Sequence, residues 1–146
     1  MSNELIKFKI ITPERTVHES DVLQVTLPVS NGEVTILPNH RSYIASLKAG
    51  EIIVRTKKDD INISVSGGFI EFAHNSLTVL ADTAERAEEI DIEKAEEAKK
   101  RAEDIKKQKV TMGEMEYARV AAAVEKELAR IKVAKKHRTR RKMNLE

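Results

Sequence analysis

The stretch DDINISVSGGFIEFAHNSLTVLADT, residues 59–83, decides the fold predicted for this 146-residue chain. Its apolar side chains alternate with polar ones, which is the period-2 pattern of a strand that buries one face. Two turn signals, Gly67-Gly68 and His74-Asn75-Ser76, divide the stretch into short predicted strands. Those strands run from Ile61 to Val65, from Phe69 to Phe72 and from Leu77 to Leu80. Strands this short and closely spaced predict an all-β domain rather than alternating strands and helices.

The same pattern extends towards the N-terminus, with apolar residues alternating over Ile6 to Ile10 and over Leu23 to Val29. Two further apolar runs, Tyr43 to Leu47 and Ile52 to Thr56, flank the residues Lys48-Ala49-Gly50-Glu51. The Gly in this segment indicates a turn, so these four residues are predicted to be a hairpin loop. Many short strands with frequent turn signals predict a β-sandwich or a β-barrel.

The composition changes sharply after residue 83. All three Pro and four of the five Gly lie before that point, whereas Ala, Glu, Lys and Arg dominate after it. We therefore predict an all-β domain over residues 1–84 and a helical region over residues 85–146, with a linker around Asp82–Asp91.

The second half of the chain predicts two helices. Apolar residues from Ile92 to Ile105 recur every three or four positions, and Asp91 precedes them at the N-cap position. Thr111-Met112-Gly113-Glu114 resembles a capping box, and an imperfect apolar stripe follows from Met115 to Ile131. The two helices would have about 17 and 25 residues with about five between them, which predicts an antiparallel hairpin.

Alanine lines most of the predicted contact between the two helices. Each Ala buries roughly one methyl group, whereas burying a Leu or Phe contributes about 1.5–3 kcal/mol. An Ala-lined hairpin therefore gains little from packing, which favours an element that separates easily or depends on a partner. The alternative is a hairpin that stays docked on the sheet, and the residue pattern leaves both open.

The sequence offers little that is typical of an active site. The four His lack the spacing of a zinc site, and there is no Cys. Neither a glycine-rich phosphate loop nor a GxSxG nucleophile motif is present. No apolar run reaches the roughly 18 residues of a membrane span, and no signal-peptide pattern is visible. We therefore expect no catalytic or metal-binding residues, and a small hydrolase is the least favoured class.

The net charge of +2 conceals a basic tail. Residues 135–146 carry a net charge of +5, whereas residues 1–82 and 83–134 carry −2 and −1. The run Lys135-Lys136-His137-Arg138-Thr139-Arg140-Arg141-Lys142 suits nucleic acid, anionic lipid or an acidic protein surface. It lacks interleaved aromatic residues, so base stacking is unsupported. The alternative is a solvated, frayed tail after a helix, where cations are favourable in any case.

Four segments, in order along the chain, resemble the epsilon subunit of rotary F-type ATP synthases. Residues 32–40, GEVTILPNH, are similar to a GE-x-G-ILPGH loop of that family, and Leu47-Lys48-Ala49-Gly50 is similar to its LK-x-G turn. Residues 65–71, VSGGFIE, and 77–85, LTVLADTAE, resemble its SGGF-E and VTVLADTAE stretches. With the Ala-rich hairpin, the resemblance covers nearly the whole chain. It implies an all-β N-terminal sandwich, residues 1–84, followed by a C-terminal α-helical hairpin, residues 85–146.

The resemblance also implies a role and partners. It implies a non-catalytic central-stalk subunit of a proton-translocating ATP synthase, peripheral on the cytoplasmic face of the cell membrane. The sandwich would contact the gamma subunit and the membrane-embedded c-ring, and the hairpin would inhibit ATP hydrolysis by extending into the alpha/beta catalytic head. Glu33, Pro38 and His40 are the interface candidates, and nucleic acid is not expected as a partner. The alternative is a non-enzymatic adaptor that binds nucleic acid or anionic membrane through the basic tail.

Two positions of the 32–40 loop depart from the family pattern. Thr35 replaces a Gly and favours a plain strand because it is β-branched. Asn39 replaces the Gly before His40, and Asn is one of the few other residues that adopts the left-handed conformation. We therefore expect the turn at Asn39 to be kept.

Some bacterial members of the family bind ATP on the folded hairpin through an I/L-D-x-x-R-A motif, which Ile90 to Ala95 resemble. Lys94 stands where the motif has Arg, and Lys126 replaces a second Arg. Lysine keeps the charge but lacks the planar fork that holds phosphate at two points. The resemblance thus admits ATP as a regulatory ligand and implies no other cofactor, with ordinary helix-surface charge as the alternative. The residues concerned are Asp91, Lys94, Ala95, Arg101, Arg119 and Arg130.

Overall fold

The computed structural model describes residues 4–108 and 113–145. Within those residues the chain forms eight strands, one 3-10 turn and two α-helices. The strands are β1 (Ile6–Ile11), β2 (Thr16–Val22), β3 (Gln24–Val29), β4 (Gly32–Ile36), β5 (Tyr43–Arg55), β6 (Asp60–Ala73), β7 (Ser76–Ala81) and β8 (Ala84–Arg86). The 3-10 turn spans Ala87–Glu89, and the helices are α1 (Ile92–Gln108) and α2 (Glu114–Met143).

The strands form the β-sandwich that the resemblance implies. Their order across the hydrogen-bonded sheet is β2-β1-β7-β6-β5-β3-β4, and β8 pairs with β6 outside that path. The sheet encloses one aliphatic core, because the period-2 alternation turns every second side chain of a strand to the same face. The largest buried side chains include Ile6, Phe8, Ile10, Leu27, Ile36, Ile52, Ile63, Ile70, Phe72 and Leu77.

β5 is one unbroken strand, so the predicted hairpin loop at Lys48–Glu51 is wrong. This segment stays in register with β6, with Gly50 opposite Val65. Gly50 does not reverse the chain. It leaves room for the ring of Pro28, which would lie 3.1 Å from a Cβ at this position.

β6 likewise continues through Gly67-Gly68, and the predicted break at this glycine pair is wrong. Both glycines have positive φ, +130° and +140°, a region that other residues enter only with strain. A Cβ on Gly68 would lie 1.9 Å from the carbonyl oxygen of Leu80 on β7. The glycine pair therefore permits a close approach of two strands, and a local turn signal cannot distinguish that from a reversal.

Two strands lie in segments where the sequence pattern predicts none. β2 is at the edge of the sheet and alternates only weakly between buried and exposed positions. β8 lies inside the predicted linker Asp82–Asp91 and pairs with β6 through three residues. Both strands depend on a neighbour's backbone more than on buried side chains of their own, so hydrophobic periodicity does not reveal them.

The two helices form an antiparallel hairpin, as predicted. Asp91 accepts a hydrogen bond from the Lys94 amide at 3.2 Å, as an N-cap residue does. The ion pair between Glu96 and Lys135, 3.3 Å, joins the beginning of α1 to the later part of α2. The predicted capping residue Thr111 lies outside the described residues, and Gly113 is the N-cap of α2, without a side-chain bond.

α2 is longer than predicted, with 30 residues, because the basic run from Lys135 to Lys142 is helical. The alternative of a frayed tail is therefore wrong. The buried residues of α2 lie from Glu127 onwards, where the helix packs against β5 and β6. Met115 of the predicted apolar stripe is exposed, because it lies before the part of α2 that reaches the sandwich. Leu128 is exposed as well, because successive residues of a helix point in different directions and its neighbours Glu127 and Ala129 are the buried ones.

Candidate functional site

The predicted interface residues lie on the edge strand β4 and on the turn that follows it. Glu33 is exposed, whereas Pro38 and His40 are half-buried. The His40 ring packs edge-on against Tyr43 and Phe72, with ring centroids 5.8 Å apart in both cases. His40 therefore anchors the turn to the sandwich, and Glu33 is the member of the set that is open to a partner.

The turn itself is kept in the way the two substitutions predict. Asn39 has a φ of 64°, the left-handed conformation expected of the residue that replaces Gly. The Asn39 amide donates to Oδ1 of Asn75 at 2.6 Å, and Asn75 Nδ2 donates to Oδ1 of Asn39 at 3.0 Å. Nδ2 of Asn39 donates to the Glu4 carboxylate. Thr35 lies in β4 with its hydroxyl 2.9 Å from that of Thr26. Side-chain hydrogen bonds thus hold the turn without the glycines of the family pattern.

An exposed apolar face adjoins this turn. Ile44, Phe69 and Leu80 have 77%, 62% and 52% of their surface exposed. In the sheet register Phe69 lies opposite Leu80 on one side and Ser46 on the other, and Ile44 is diagonal to Phe69. Three large apolar side chains on one open face indicate an interaction surface.

The sequence pattern alone did not single out this apolar face, although a signal for it exists. Phe69, Ile44 and Leu80 each stand at the outward phase of the alternation, next to inward residues such as Ile70 and Val79. A large apolar residue at an outward position of a strand is the signal, and it is readable only once the strand boundaries are known.

Charged side chains of α2 contact the sandwich where the hairpin docks. On α2, Arg130 donates to both Glu85 carboxylate oxygens, at 2.8 and 3.3 Å, and to Glu127 at 2.8 Å. Partial burial works against the charged guanidinium, but the hydrogen bonds and charges of the two carboxylates outweigh it and raise the pKa of Arg130. Glu85 belongs to β8, so this contact joins α2 to the last strand of the sandwich.

Two further ion pairs lie closer to the end of α2. Lys136 Nζ is 2.8 Å from Glu51 of β5, and an Arg140 guanidinium nitrogen is 3.1 Å from Asp60 of β6. These contacts were not predicted, because each joins residues at least 80 positions apart. The charge of the tail is compatible with an acidic protein surface as its partner. In the structure, two acidic residues of the same chain, Glu51 and Asp60, bind it.

The residues proposed for ATP do not form one cluster here. Asp91, Lys94 and Ala95 lie together at the start of α1, with Ala95 fully buried and the other two exposed. Arg101 and Arg119 are exposed on separate helices. Arg130 follows Arg119 by eleven positions on α2, roughly 16 Å along the axis at 1.5 Å per residue. Their role in binding ATP stays a prediction.

A polar cleft lies between the sandwich and α2. Its volume is about 340 Å³. Arg130 lies in its wall but is bound by Glu85, and Lys126 is the other α2 cation beside it. The remaining lining residues include Thr12, Arg15, Ser64, Asp82 and Thr83. A phosphate group entering this cleft would compete with Glu85 for Arg130.

His18 links the edge strand β2 to β8. Its Nδ1 accepts a hydrogen bond from Arg86 at 2.8 Å, its Nε2 lies 2.7 Å from the Ser20 hydroxyl, and its ring lies 5.8 Å from Phe8. Burial, and then the Arg86 charge, lower the pKa of His18. The neutral ring is therefore the form that fits this site.

Two kinds of functional feature are missing from residues 4–108 and 113–145. No three His, Asp or Glu side chains among them are grouped so that they could hold a metal ion. None of their helices combines the length and the apolar character needed to cross a membrane. The features that stand out on these residues are the apolar sheet face and the charged docking surface.

These features define a two-part architecture, a β-sandwich that presents an apolar face and carries a docked helical hairpin. The family model of the ATP synthase delta/epsilon chain beta-sandwich domain matches residues 5–87, and that of the long alpha-helix domain matches residues 88–135. The chain belongs to the ATP synthase epsilon-chain family.

Individual relatives agree with the family match. The ATP synthase epsilon chain of Dehalococcoides mccartyi is 43% identical over 133 residues, which cover 91% of this chain and 94% of the relative. The epsilon chain of Pediococcus pentosaceus is 40% identical over 137 residues, which cover 91% of this chain and 97% of the relative.

Solved structures share the fold. A chain of the Euglena gracilis mitochondrial ATP synthase, OSCP/F1/c-ring in rotational state 1, superposes with a TM-score of 0.69 at 21% identity, covering 83% of this chain and 76% of that one. A chain of the Tetrahymena thermophila mitochondrial ATP synthase central stalk/c-ring gives 0.61 at 12% identity, covering 92% and 99%. At such low identities the likeness concerns the fold alone.

Proposed function

We propose that this chain is a non-catalytic central-stalk subunit of a proton-translocating F-type ATP synthase. It couples the alpha/beta catalytic head to the membrane c-ring through the gamma subunit, as a peripheral component on the cytoplasmic face of the membrane. The observation that carries this proposal is the open apolar face of Ile44, Phe69 and Leu80, which the docked hairpin leaves exposed. A sandwich can thus be bound on one surface while its hairpin moves on another.

The apolar face is the proposed gamma interface, and the turn beside it the proposed c-ring contact. Ile44 follows His40 by four positions, and Tyr43 at the start of β5 packs on the His40 ring. The apolar face and the turn at His40 are therefore neighbours on the same sandwich. A closely packed sandwich suits a coupling role, because torque between ring and head passes only through contacts that do not yield.

The hairpin is the proposed brake on ATP hydrolysis. At 1.5 Å per residue, α1 and α2 are roughly 25 and 45 Å long, so an extended hairpin reaches far beyond the sandwich. The docking surface includes three ion-paired cations of α2, Arg130, Lys136 and Arg140. Polar contacts exchange readily for water or for another acidic surface. The buried apolar residues of α2 are few and two of them are alanine, so the helix leaves the sandwich at a modest cost.

A deletion tests the brake. Removing residues 91–146 leaves every strand of the sandwich and the apolar face in place. We expect the complex to assemble with the truncated chain and to hydrolyse ATP several-fold faster than the complex with the full chain, because the inhibitory element is gone. Hydrolysis by purified complexes of equal subunit content is the measurement, and an unchanged rate would count against the brake.

The adaptor alternative is less well supported than the stalk role. Lys136 and Arg140 are already paired with carboxylates of the sandwich, and Lys135 is paired with Glu96. This leaves fewer cations of the tail for nucleic acid or anionic lipid. A nucleic acid that co-purifies at physiological salt, without other ATP synthase subunits, would support the adaptor instead.

A further inference from the structure

The end of α2 extends past the part of the chain that the family model matches. The family model of the helical domain ends at residue 135, whereas α2 continues to Met143. The additional segment, residues 136–143, holds five of the six basic residues of the tail. This concentration of positive charge distinguishes the segment from the rest of the hairpin.

Two cations of this segment bind the sandwich. Lys136 and Arg140 are one helical turn apart, so their side chains lie on the same face of α2. Lys136 contacts Glu51 at 2.8 Å and Arg140 contacts Asp60 at 3.1 Å. The two contacts span neighbouring strands, since Glu51 lies in β5 and Asp60 in β6.

Both acidic partners are shielded and held in position. The side chains of Glu51 and Asp60 are only 15% and 17% exposed. Glu51 accepts a second hydrogen bond from Asn62 at 2.6 Å, and Asp60 lies 3.5 Å from Arg55. An ion pair with a shielded, fixed carboxylate is stronger than one between two mobile surface groups.

Apolar packing of α2 ends before this segment. The buried apolar residues of α2 are Ala129, Ile131, Val133 and Ala134, and none of residues 136–143 is buried. The apolar cluster around α2 joins Val133 and Ala134 to Ile92 and to the connector residues Ala87 and Ile90, and it is separate from the sandwich core. Docking of the far end of α2 on the strands thus depends strongly on charge.

We propose that residues 136–143 form an ionic latch, in which Lys136 and Arg140 hold the hairpin docked through Glu51 and Asp60. The latch sets the ratio of docked to undocked hairpin and weakens as salt screens its charges. Its existence is independent of the proposed function, and only its effect on ATP hydrolysis rests on the brake.

The test uses the full-length chain with two spin labels. The chain has no Cys, so Cys introduced at the exposed positions Ser30 and Lys100 are unique attachment sites. The latch variant is K136Q/R140Q. The matched control is R138Q/K142Q, which removes the same charge from the same segment at exposed residues that pair with no described carboxylate.

The label-to-label distance distribution reports docking. We expect the latch variant to raise the ratio of undocked to docked hairpin roughly tenfold, a factor within the range that loss of one to two weak contacts produces. High salt should give the same change in the parent chain, and the control variant should match the parent. Equal distributions in latch variant and parent, or equal widening in latch variant and control, would overturn the latch.

A charge swap separates the latch from misfolding. E51K and K136E each break one pair, and the double variant E51K/K136E restores an attraction between the same two positions. We expect the double variant to recover the docked distribution that either single variant loses. Failure of the swap to recover docking in a chain with parental helix and strand content contradicts a direct pair.

ATP hydrolysis by the assembled complex distinguishes the latch from the brake. If the hairpin inhibits when it leaves the sandwich, K136Q/R140Q lowers ATP hydrolysis relative to R138Q/K142Q. Widened distances with unchanged hydrolysis support the latch and contradict the brake. Unchanged distances with faster hydrolysis in the 91–146 deletion contradict the latch and support the brake.

Discussion

Gly68 shows how much one missing side chain decides at the residue scale. It lies where β6 passes so close to β7 that a Cβ would be 1.9 Å from the Leu80 carbonyl oxygen. Backbone atoms cannot swing aside as a flexible side chain can, so any larger residue must displace a strand. The backbone of β7 at Leu80 therefore requires glycine at position 68, which lies 12 residues earlier in the chain.

We expect G68A to lower the free energy of unfolding by about 3 kcal/mol or more, through overpacking added to backbone strain. G32A is the matched control, because Gly32 has a positive φ of +124° but no atom within 4 Å of the position that an alanine methyl would take. The control should lose only about 1–2 kcal/mol, the cost of the strained backbone. Urea unfolding compares the two, and equal losses would rule out the steric explanation.

His18 is the residue whose protonation should affect stability. Its pKa is lowered in the folded chain, so the unfolded chain binds more protons between its own pKa of about 6.5 and the lower pKa of the folded chain. The stability that the neutral ring contributes is complete above the unfolded pKa and decreases as the pH falls through and below it. Protonation would also place a hydrogen on the Nδ1 that accepts from Arg86.

We expect the free energy of unfolding to decrease between about pH 7 and pH 5 in the parent chain, and H18N to flatten this decrease. H74N serves as the control, because His74 is exposed with a φ of 51° that Asn tolerates. Denaturant unfolding at a series of pH values is the measurement. A pH dependence that H18N leaves intact would assign it to other groups.

At the scale of elements, the strands β5, β6 and β7 present two different faces. Inward residues such as Ile70, Phe72 and Val79 form the core, while Ile44, Phe69 and Leu80 face outwards. These outward apolar residues remain in contact with water until a partner covers them, so covering them favours association. This is the physical reason for the proposed gamma interface at this face.

We expect F69D to weaken binding of the chain to gamma at least about a hundredfold, because it buries an unpaired charge at the centre of the proposed apolar interface. I105D is the control, since Ile105 is also an exposed apolar residue but lies on α1. Co-purification and titration with gamma are the measurements. Retained binding by F69D, or equal loss with I105D, would place the interface elsewhere.

The helices illustrate which element boundaries a sequence can predict. The Asp91 side chain caps the start of α1, so this boundary depends on neighbouring residues alone. The prediction that Asp91 is the N-cap residue is confirmed. The end of α2 is different, because Lys136 and Arg140 gain partners on β5 and β6 only when the hairpin docks. Repulsion between the charges of the basic run favours fraying of the helix end. The carboxylates of β5 and β6 offset this repulsion, so the run stays helical.

At the scale of the whole molecule, the two parts of the chain are held together by different interactions. The sandwich encloses a continuous apolar core, whereas three ion pairs contribute to the contact between hairpin and sandwich. This division fits a subunit that stays bound through one part and responds through the other. The domain boundary after residue 84 stays a prediction, and β8 lies across it.

The sequence by itself determined an all-β first half, a helical hairpin after it and the left-handed turn at Asn39, because alternation, helical periodicity and turn chemistry depend on neighbouring residues. It also determined the family, through motifs spread along the chain. Only the tertiary structure decided that Gly67-Gly68 lies within a strand, that Phe69 is exposed and that Lys136 and Arg140 are paired. Each of these depends on atoms from distant segments, whose positions no local pattern contains.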